Sequence, residues 1–588
     1  MMSVVQVLTH ESAHVPLLIG VTGHRDLVSQ ETELLRDAVR RWLAHVRDRF
    51  PAAPLRVLSS LSPGADLLVA EEALAIGLEC IAVLPFPVEL CRADFEDPAD
   101  VERFELVLGR CRERIVCPLR KHLTPADIAA PGPGRTAQYA AAGEAIASSA
   151  FIVLALWDGR PPHHPAGTAR TVEFRLRLRT WLDDGSKPAQ QELLANLPPD
   201  FVYHIVASRR SSGPAPGLVP LQAGYRSRPD GPFEAELPPV ASLIAERTAE
   251  LNRDLRRHAA RTPKRRVDEG IIGELADPPP SVASVASLFE AIDSVATRMH
   301  RAVLFKVKVT AILTALMGAA FLMYSHSDPA SRWELAIFVF LGAFLLLIGG
   351  DLVVRSKHLQ RRHLEARALA EGLRVEVFWA IAGVHGPGAT PSAHRSILKQ
   401  ADPGLEWIPN ALRGASLMLL EVRHTGIPGG IDFAIHRWIG SDAASDSRSE
   451  QLHYFWRAAR KRERHTLIAE AAVSTSIAIG LLVTLVLVGG RRGWVDAYRL
   501  PLLFAMGFLP LLAGVLENSV QKTAGRELRR QYEYMYEVFR SARDRLLRAS
   551  SDSERRTILS LLGRAALAEH AEWLFLHRDR PIDRSSLQ

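Results

Sequence analysis

Cysteine is scarce in this chain: only Cys80, Cys91, Cys111 and Cys117 occur among 588 residues. All four lie in the first fifth of the sequence, in no CxxC pair and with no helical histidine at zinc-ligand spacing, which excludes a disulfide scaffold and a zinc module. They are read as reduced thiols of a cytosolic domain. The adjacent His163 and His164 sit in a proline-rich loop and are read as solvated, so no metal is expected. The amino-terminal stretch MMSVVQVLTHESAH lacks a basic start followed by an apolar run. No cleavable signal peptide is therefore expected, and insertion into a membrane must depend on internal segments.

What is abundant is apolar residues, 47% of the chain, beside a charged fraction of 23%. The first value is high for a soluble protein and the second excludes a chain mostly embedded in lipid, so both solvents are in use. The formal net charge of +7 admits nucleic acid as a partner, but the arginines cluster beside apolar runs. Membrane orientation explains that placement better than DNA binding does, and no nucleic acid is expected.

Four apolar runs stand out, at 309–324, 335–350, 471–490 and 500–516. Each is about 16 to 20 residues, near what a hydrocarbon core of roughly 30 Å requires. They come in two pairs with short connections, so each pair predicts a transmembrane hairpin. The first is flanked by Arg298, Arg301, Lys306 and Lys308 and by Arg355, Lys357, Arg361 and Arg362, whereas its loop holds only Arg332 beside the interfacial Trp333. The second has RAARKRERH before it and QKTAGRELRR after it, against Arg491, Arg492 and Arg499 in the loop. This asymmetry predicts a multi-pass protein of the inner (plasma) membrane with both termini cytoplasmic. Pro510 is expected to kink the fourth run. An amphipathic stripe follows each hairpin, Leu359, Ala366, Leu369, Leu373 and Val377 after the first and Tyr532, Tyr536 and Phe539 after the second. The order span, loop, span, amphipathic helix thus occurs twice, and such stripes predict helix packing and a homo-oligomer. The alternative is that the four runs are buried helices of a soluble core.

Before the membrane half, short apolar runs alternate with helical patterns. VPLLIGV, LRVLS, ECIAVLP, FIVLALW and FVYHIVA read as buried strands, and Leu35, Val39, Trp42, Val46 and Phe50 follow helical spacing. Alternation of this kind predicts an α/β, Rossmann-like domain with a parallel sheet covered on both faces, followed by an all-α membrane region. Ligands of such sheets bind beyond the carboxyl ends of the strands. After the first strand stand Gly20, Thr22, Gly23, His24 and Arg25; after the second, Ser59, Ser60, Gly64, Ala65 and Asp66; after the fourth, Asp158, Gly159, Gly167 and Thr168. Glycines admit close approach of a phosphate, Thr22 and Ser60 carry hydroxyl donors, and Arg25 suits an anion. A glycine at a strand end is also an ordinary turn residue, and His24 also fits a capping or packing role.

In order, GVTGHRDL, SSLSPGADLLVAEEAL, LPFPVELCRADF, RTAQYAAAGEAIASSAFIVLALWDG, PAGTARTVEF and VYHIVASR resemble the SLOG superfamily of Rossmannoid ligand-binding domains over residues 15–207. That group includes nucleoside-monophosphate phosphoribohydrolases of the cytokinin-activating type and the sensor region of melastatin-type channels. The resemblance implies a nucleotide-derived small molecule as ligand. The hydrolases carry a PGGxGTxxE signature; here PAGTARTVE keeps Pro165, Gly167 and Glu173, while Ala166 and Ala169 replace glycines and Arg170 stands in place of threonine. These departures leave phosphate cradling and count against hydrolysis. Residues 293–581 look like the two-span and four-span effector modules of bacterial conflict systems. Together the resemblances imply a ligand-gated membrane effector that permeabilises the membrane in bacterial defence. The alternatives are a membrane-anchored nucleotide N-glycosidic hydrolase using Glu173 as catalytic carboxylate, and a transport or scaffold protein with a regulatory Rossmann domain. A transporter would carry polar groups in mid-span, and only Ser474, Thr475 and Ser476 stand out.

The expected organisation is a ligand-binding domain at 1–210, a linker with one charged helix at 211–281, the first hairpin and its amphipathic helix at 282–385, a cytoplasmic connection at 386–450, and the second hairpin with amphipathic helices at 451–588.

Overall fold

A computed structural model describes residues 13–176, 200–260, 270–275, 277–325, 335–385, 403–440, 450–489, 497–522 and 525–579. Arg332, Trp333, Arg491 and Arg492 of the expected hairpin loops lie outside the described residues.

The amino-terminal region folds around seven strands: β1 (Leu17–Gly23), β2 (Leu55–Ser59), β3 (Glu79–Leu84), β4 (Glu113–Val116), β5 (Ile152–Trp157), β6 (Val202–Val206) and β7 (Ala223–Arg226). Their order in the sheet is β4-β3-β2-β1-β5-β6-β7. All neighbours are parallel except β6 and β7. The order reverses between β1 and β5, which makes their carboxyl ends the topological switch point. The central strands are apolar on both faces: Ile19, Val57, Ile81 and Leu154 are wholly inaccessible. Helices α1 (Thr32–Arg49), α2 (Ala65–Ala75), α3 (Val88–Arg92), α4 (Pro98–Arg110), α5 (Pro125–Ala129), α6 (Pro133–Ser149) and α7 (Thr168–Leu176) lie between the strands, and α8 (Pro239–Ala259) follows β7.

Two strands are not among the five expected. β4 reads ERIV, in which only Ile115 is buried, and β7 reads AGYR within a proline-, glycine- and serine-rich stretch. The latter corrects the linker expected from 211: Tyr203 pairs with Tyr225 across β6 and β7. The charged helix is docked as well. Asn252 of α8 bonds both the N–H and the carbonyl of Val15, at 2.9 Å each.

The rest of the chain is helical: α9 (Pro280–Ser325), α10 (Ala336–Lys357), α11 (Leu359–Ala382), α12 (Trp407–Met418), α13 (Leu420–Thr425), α14 (Gly430–Ala434), α15 (Gln451–Gly489), α16 (Arg499–Lys522), α17 (Gly525–Arg548) and α18 (Asp552–Asp579), with a π-turn at Ile435–Ile439. The chain forms two compact units. One comprises Met1–Ile292, Leu369–Ala434 and Ala549–Leu567; the other comprises Asp293–Ala368, Ile435–Arg548 and Ala568–Gln588. Helices α9, α11 and α18 contribute residues to both.

In the sheet unit, α12 covers part of the sheet. Leu417 joins Leu18, Leu58, Ile81, Ile115 and Ile146 in one core cluster. Glu421 of α13 accepts the N–H of Val116 at the end of β4. Residues expected only to connect the hairpins thus complete the core of the amino-terminal domain. Trp379 of α11 is fully buried beside Gly563 of α18, and its indole N–H donates to the Leu559 carbonyl at 3.0 Å.

In the helical unit, three helices are long and apolar enough to cross a membrane: Pro280–Ser325, Gln451–Gly489 and Arg499–Asn518. A further apolar stretch, Ala336–Asp351, is shorter. Close packing is reciprocal between α9 and α16. A Cβ on Gly318 would lie 2.4 Å from Leu511, and one on Gly507 would lie 2.8 Å from Leu322, so the two helices run antiparallel with a leucine of each set over a glycine of the other. The ring of Pro510 lies 3.6 Å from a Cβ built on Gly480 of α15. Such small-residue contacts suit helices without a hydrophobic driving force between them.

Candidate ligand site at the carboxyl edge of the sheet

Three strand ends converge where β1, β2 and β5 stop. The His24 N–H donates to the Leu156 carbonyl at 3.1 Å, and the Ala65 N–H donates to the His24 carbonyl at 3.0 Å. His24 thereby ties the turn after β1 both to β5 and to the amino terminus of α2. Its imidazole Nε2 lies 3.0 Å from the backbone N of Asp158 and 3.1 Å from Asp158 Oδ1. One ring nitrogen cannot accept from the amide and donate to the carboxylate at the same time. The pair therefore has two tautomeric arrangements. Burial raises the Asp158 carboxyl, but the His24 bond, the Arg160 N–H and nearby Arg209 outweigh it and hold the group below its ordinary range.

Asp66, in the first turn of α2, occupies that helix's amino-terminal anion position with its own carboxylate. Oδ2 accepts from Ser60 Oγ at 2.6 Å. Oδ1 is buried with no hydrogen-bond partner. Burial pushes the carboxyl up to about 6 against the opposing effects of Ser60, Arg25 and Gly23. Ser59 Oγ donates to the Asp66 carbonyl and accepts from the Leu61 N–H, at 2.9 and 3.1 Å. Both serine hydroxyls are thus engaged inside the protein, and Thr22 is buried in β1 opposite Ala155.

The glycines of the first two turns also serve packing rather than the open approach expected of them. A Cβ on Gly23 would lie 2.2 Å from that of Ala65, and one on Gly20 would lie 2.8 Å from Ile146. At Gly64, φ is +85° and a Cβ would meet the Arg25 carbonyl at 2.5 Å. Gly159, at φ +81°, is covered by Leu218. Gly167 is the exception: φ is +110° and nothing lies within 4 Å of a Cβ, so the amino terminus of α7 is open. Thr168 begins that helix and is buried. Among the described residues, no hydrogen bond links Gly167 or Thr168 to the His24 cluster.

Glu173, the carboxylate expected to act in a hydrolase, accepts from Arg170 Nη1 at 2.9 Å, one turn back on α7. The residue that departs from the hydrolase signature therefore pairs with the carboxylate of that signature.

Arg25 is exposed, with its guanidinium 4.6 Å above the Tyr139 ring. The Tyr139 hydroxyl donates to Asp94, which also accepts from Arg135 Nη2 at 2.6 Å. Burial, opposed by Arg25 and reinforced by Asp94, keeps the tyrosine well above its ordinary range. Arg135 itself bonds the Ile128 and Leu90 carbonyls and lies over Phe86. Asp94, Arg135 and Tyr139 were not singled out among the sequence candidates; all three fall inside motifs quoted above, but no spacing rule connects the turn after β3 to α6. On the other flank, Arg209 Nε donates to Asp26 at 3.0 Å, and Ser208 donates to Glu31, so the segment after β6 folds over the turn after β1. His204 of β6 bonds the Trp157 carbonyl and Arg226, and burial lowers it to about 4, so it stays neutral.

Among the described residues no group of histidine, cysteine, aspartate and glutamate side chains has the makings of a metal site. No family model, curated protein or solved structure matches this chain.

Proposed function

We propose that the sheet unit is a sensor for a small, nucleotide-derived anion and that the helical unit is a membrane effector under its control. The observation that carries this reading is the convergence at the switch point. His24 ties the turn after β1 to the end of β5 and to the amino terminus of α2, Arg25 stands exposed and braced on Tyr139, and the amino terminus of α7 is open at Gly167. An exposed cation and a free helix amino terminus on one sheet edge suit a phosphate-bearing ligand. The Arg170–Glu173 pair favours binding over hydrolysis, because the carboxylate that a hydrolase would aim at the sugar already holds a partner on its own helix.

In this reading the membrane module has four spans in two hairpins, with both termini on the cytoplasmic face of the plasma membrane, and assembles as a homo-oligomer. The ion pair between Lys306 and Asp351, at 3.2 Å, supports counting the shorter α10 as a span: it holds the start of the apolar part of α9 level with the end of that of α10, as a hairpin requires. Ligand binding then permeabilises the bilayer, a role that suits bacterial defence.

The test uses the full chain. Native mass spectrometry of the purified protein should find a co-purified nucleotide, and liposomes carrying the protein should leak dye only when that nucleotide is present. Arg25→Ala should weaken binding by about 1.5 to 3 kcal/mol, read by calorimetry, because a charge-assisted contact is lost. Recovery of free base from the nucleotide would overturn the sensor in favour of the hydrolase.

A further inference from the structure

The amino-terminal part of α15 has two chemically opposite faces. Leu452, Phe455 and Ala459 are buried, and Glu463 on that side pairs with Arg529 at 3.2 Å. Arg457, Arg460, Lys461 and Arg464, spaced i, i+3, i+4 and i+7, are all exposed on the other side. None of the four meets a carboxylate within ion-pair distance among the described residues. Arg460 lies 4.8 Å above the ring of Trp456, itself 39% exposed. One turn beyond Arg464 the same face becomes apolar, with Leu467 and Ile468 each 58% exposed, and the helix then continues into its membrane-length apolar stretch.

Four exposed cations without counter-charges have an unmet electrostatic demand, and their position says what meets it. From Arg457 to Arg464 the helix rises about 10 Å. The headgroup layer on one side of a bilayer is about 5 to 8 Å thick, and a charge acts over a Debye length of about 8 Å at physiological salt. If the apolar stretch spans, Arg464 and Lys461 lie in the headgroup layer, and Arg460 and Arg457 lie within screening distance of it. Trp456 and the arginine stems supply the amphipathic contacts that such a layer favours.

We infer that this stripe is a binding surface for the headgroups of anionic phospholipids. The inference rests on the spanning reading of α15 and goes beyond it, since orientation alone requires positive charge but no retained lipid.

The experiment places the full chain in vesicles of equal phosphatidylglycerol and phosphatidylcholine, extracts it in mild detergent, and counts retained lipids by native mass spectrometry. The parent should retain phosphatidylglycerol over phosphatidylcholine. Neutralising each cation should cost about fivefold in retention, corresponding to about 1 kcal/mol per basic residue near an anionic surface. Arg457→Gln, Arg460→Gln, Lys461→Gln and Arg464→Gln together should therefore abolish the preference, whereas lysine at the three arginine positions should keep it. Salt at half-molar strength should erase the preference in the parent, a readout that needs no variant to fold. Equal retention by the glutamine variant, or a loss that accompanies a change in oligomeric mass, would overturn the inference, the second in favour of an interface between copies. Alkaline carbonate extraction separates the premises: release of the parent from the membrane would remove the spanning reading, while a variant that stays embedded and keeps its phosphatidylglycerol would refute the stripe alone.

Discussion

The two units use burial in opposite senses. In the sheet unit, charged groups are drawn inside against polar partners: Arg135 and Arg175 are almost inaccessible and bond backbone carbonyls, while Glu72 takes both Arg36 and Arg40. In the helical unit, apolar side chains face outward, with Phe338 67%, Leu482 60% and Val488 83% exposed. An exposed leucine in the first unit is ordinary surface; a row of them along α10 and α15 implies a second solvent. Hydropathy therefore acquires its meaning from the unit in which it occurs.

The sharpest way to break this comparison is at the most crowded point of the sheet unit. Gly23→Val should cost more than about 3 kcal/mol, because the new side chain overlaps Ala65 on a helix that cannot yield without leaving β1. Hydrogen exchange should show protection lost across β1 and β2. Native-like protection would mean that the β1–α2 contact is slack.

The corresponding test of the helical unit introduces charge where the surface is apolar. Leu482→Arg should cost about 2.5 to 3.5 kcal/mol if that face meets lipid and almost nothing if it meets water. The share of chain that resists carbonate extraction reads the difference.

A third experiment uses pH. The folded value of Asp66, about 6, lies above the ordinary 3.8, so the native state favours the protonated form. Its contribution to stability is full below about pH 4 and is lost as pH rises through about 6, by about 2 to 3 kcal/mol. Asp66→Asn should flatten the stability profile of the sheet unit across that window, followed by hydrogen exchange at several pH values. An unchanged slope would place the titration elsewhere.

The smallest effect is expected at Glu173. The pair with Arg170 spans one helical turn and is partly exposed, so the loss of that pair in Glu173→Gln should change stability by no more than about 0.5 kcal/mol. It should also leave nucleotide affinity intact and abolish no turnover; release of base that depends on Glu173 would reverse the reading of α7.

Much of the sheet was legible in the sequence because a strand buried on both faces must be apolar at successive positions, as in LLIGV and IVLALW. β4 escaped because it is an edge strand whose Glu113 and Arg114 need no burial. β7 escaped because its pairing is dictated by β6 rather than by its own composition. The site was legible as a place and less so in its roles. Glycines, serines and an aspartate cluster at the strand ends as expected, but Gly23 and Gly64 hold α2 against the end of β1, Ser59 and Ser60 bond Asp66, and Gly20 and Gly159 are covered by Ile146 and Leu218; of these glycines, Gly167 alone keeps the open approach, and Arg25 stays exposed.

By itself the sequence determined the alternation of strand and helix, the apolar helices and their basic flanks, since these follow from local periodicity and from the length of apolar runs. The tertiary structure alone decided which distant residues complete each part. Leu417 closes a sheet begun at Leu17, Asp94 braces Tyr139 beneath Arg25, and Ser208 answers Glu31. Pairings of this kind depend on distances through space, and no local pattern encodes them.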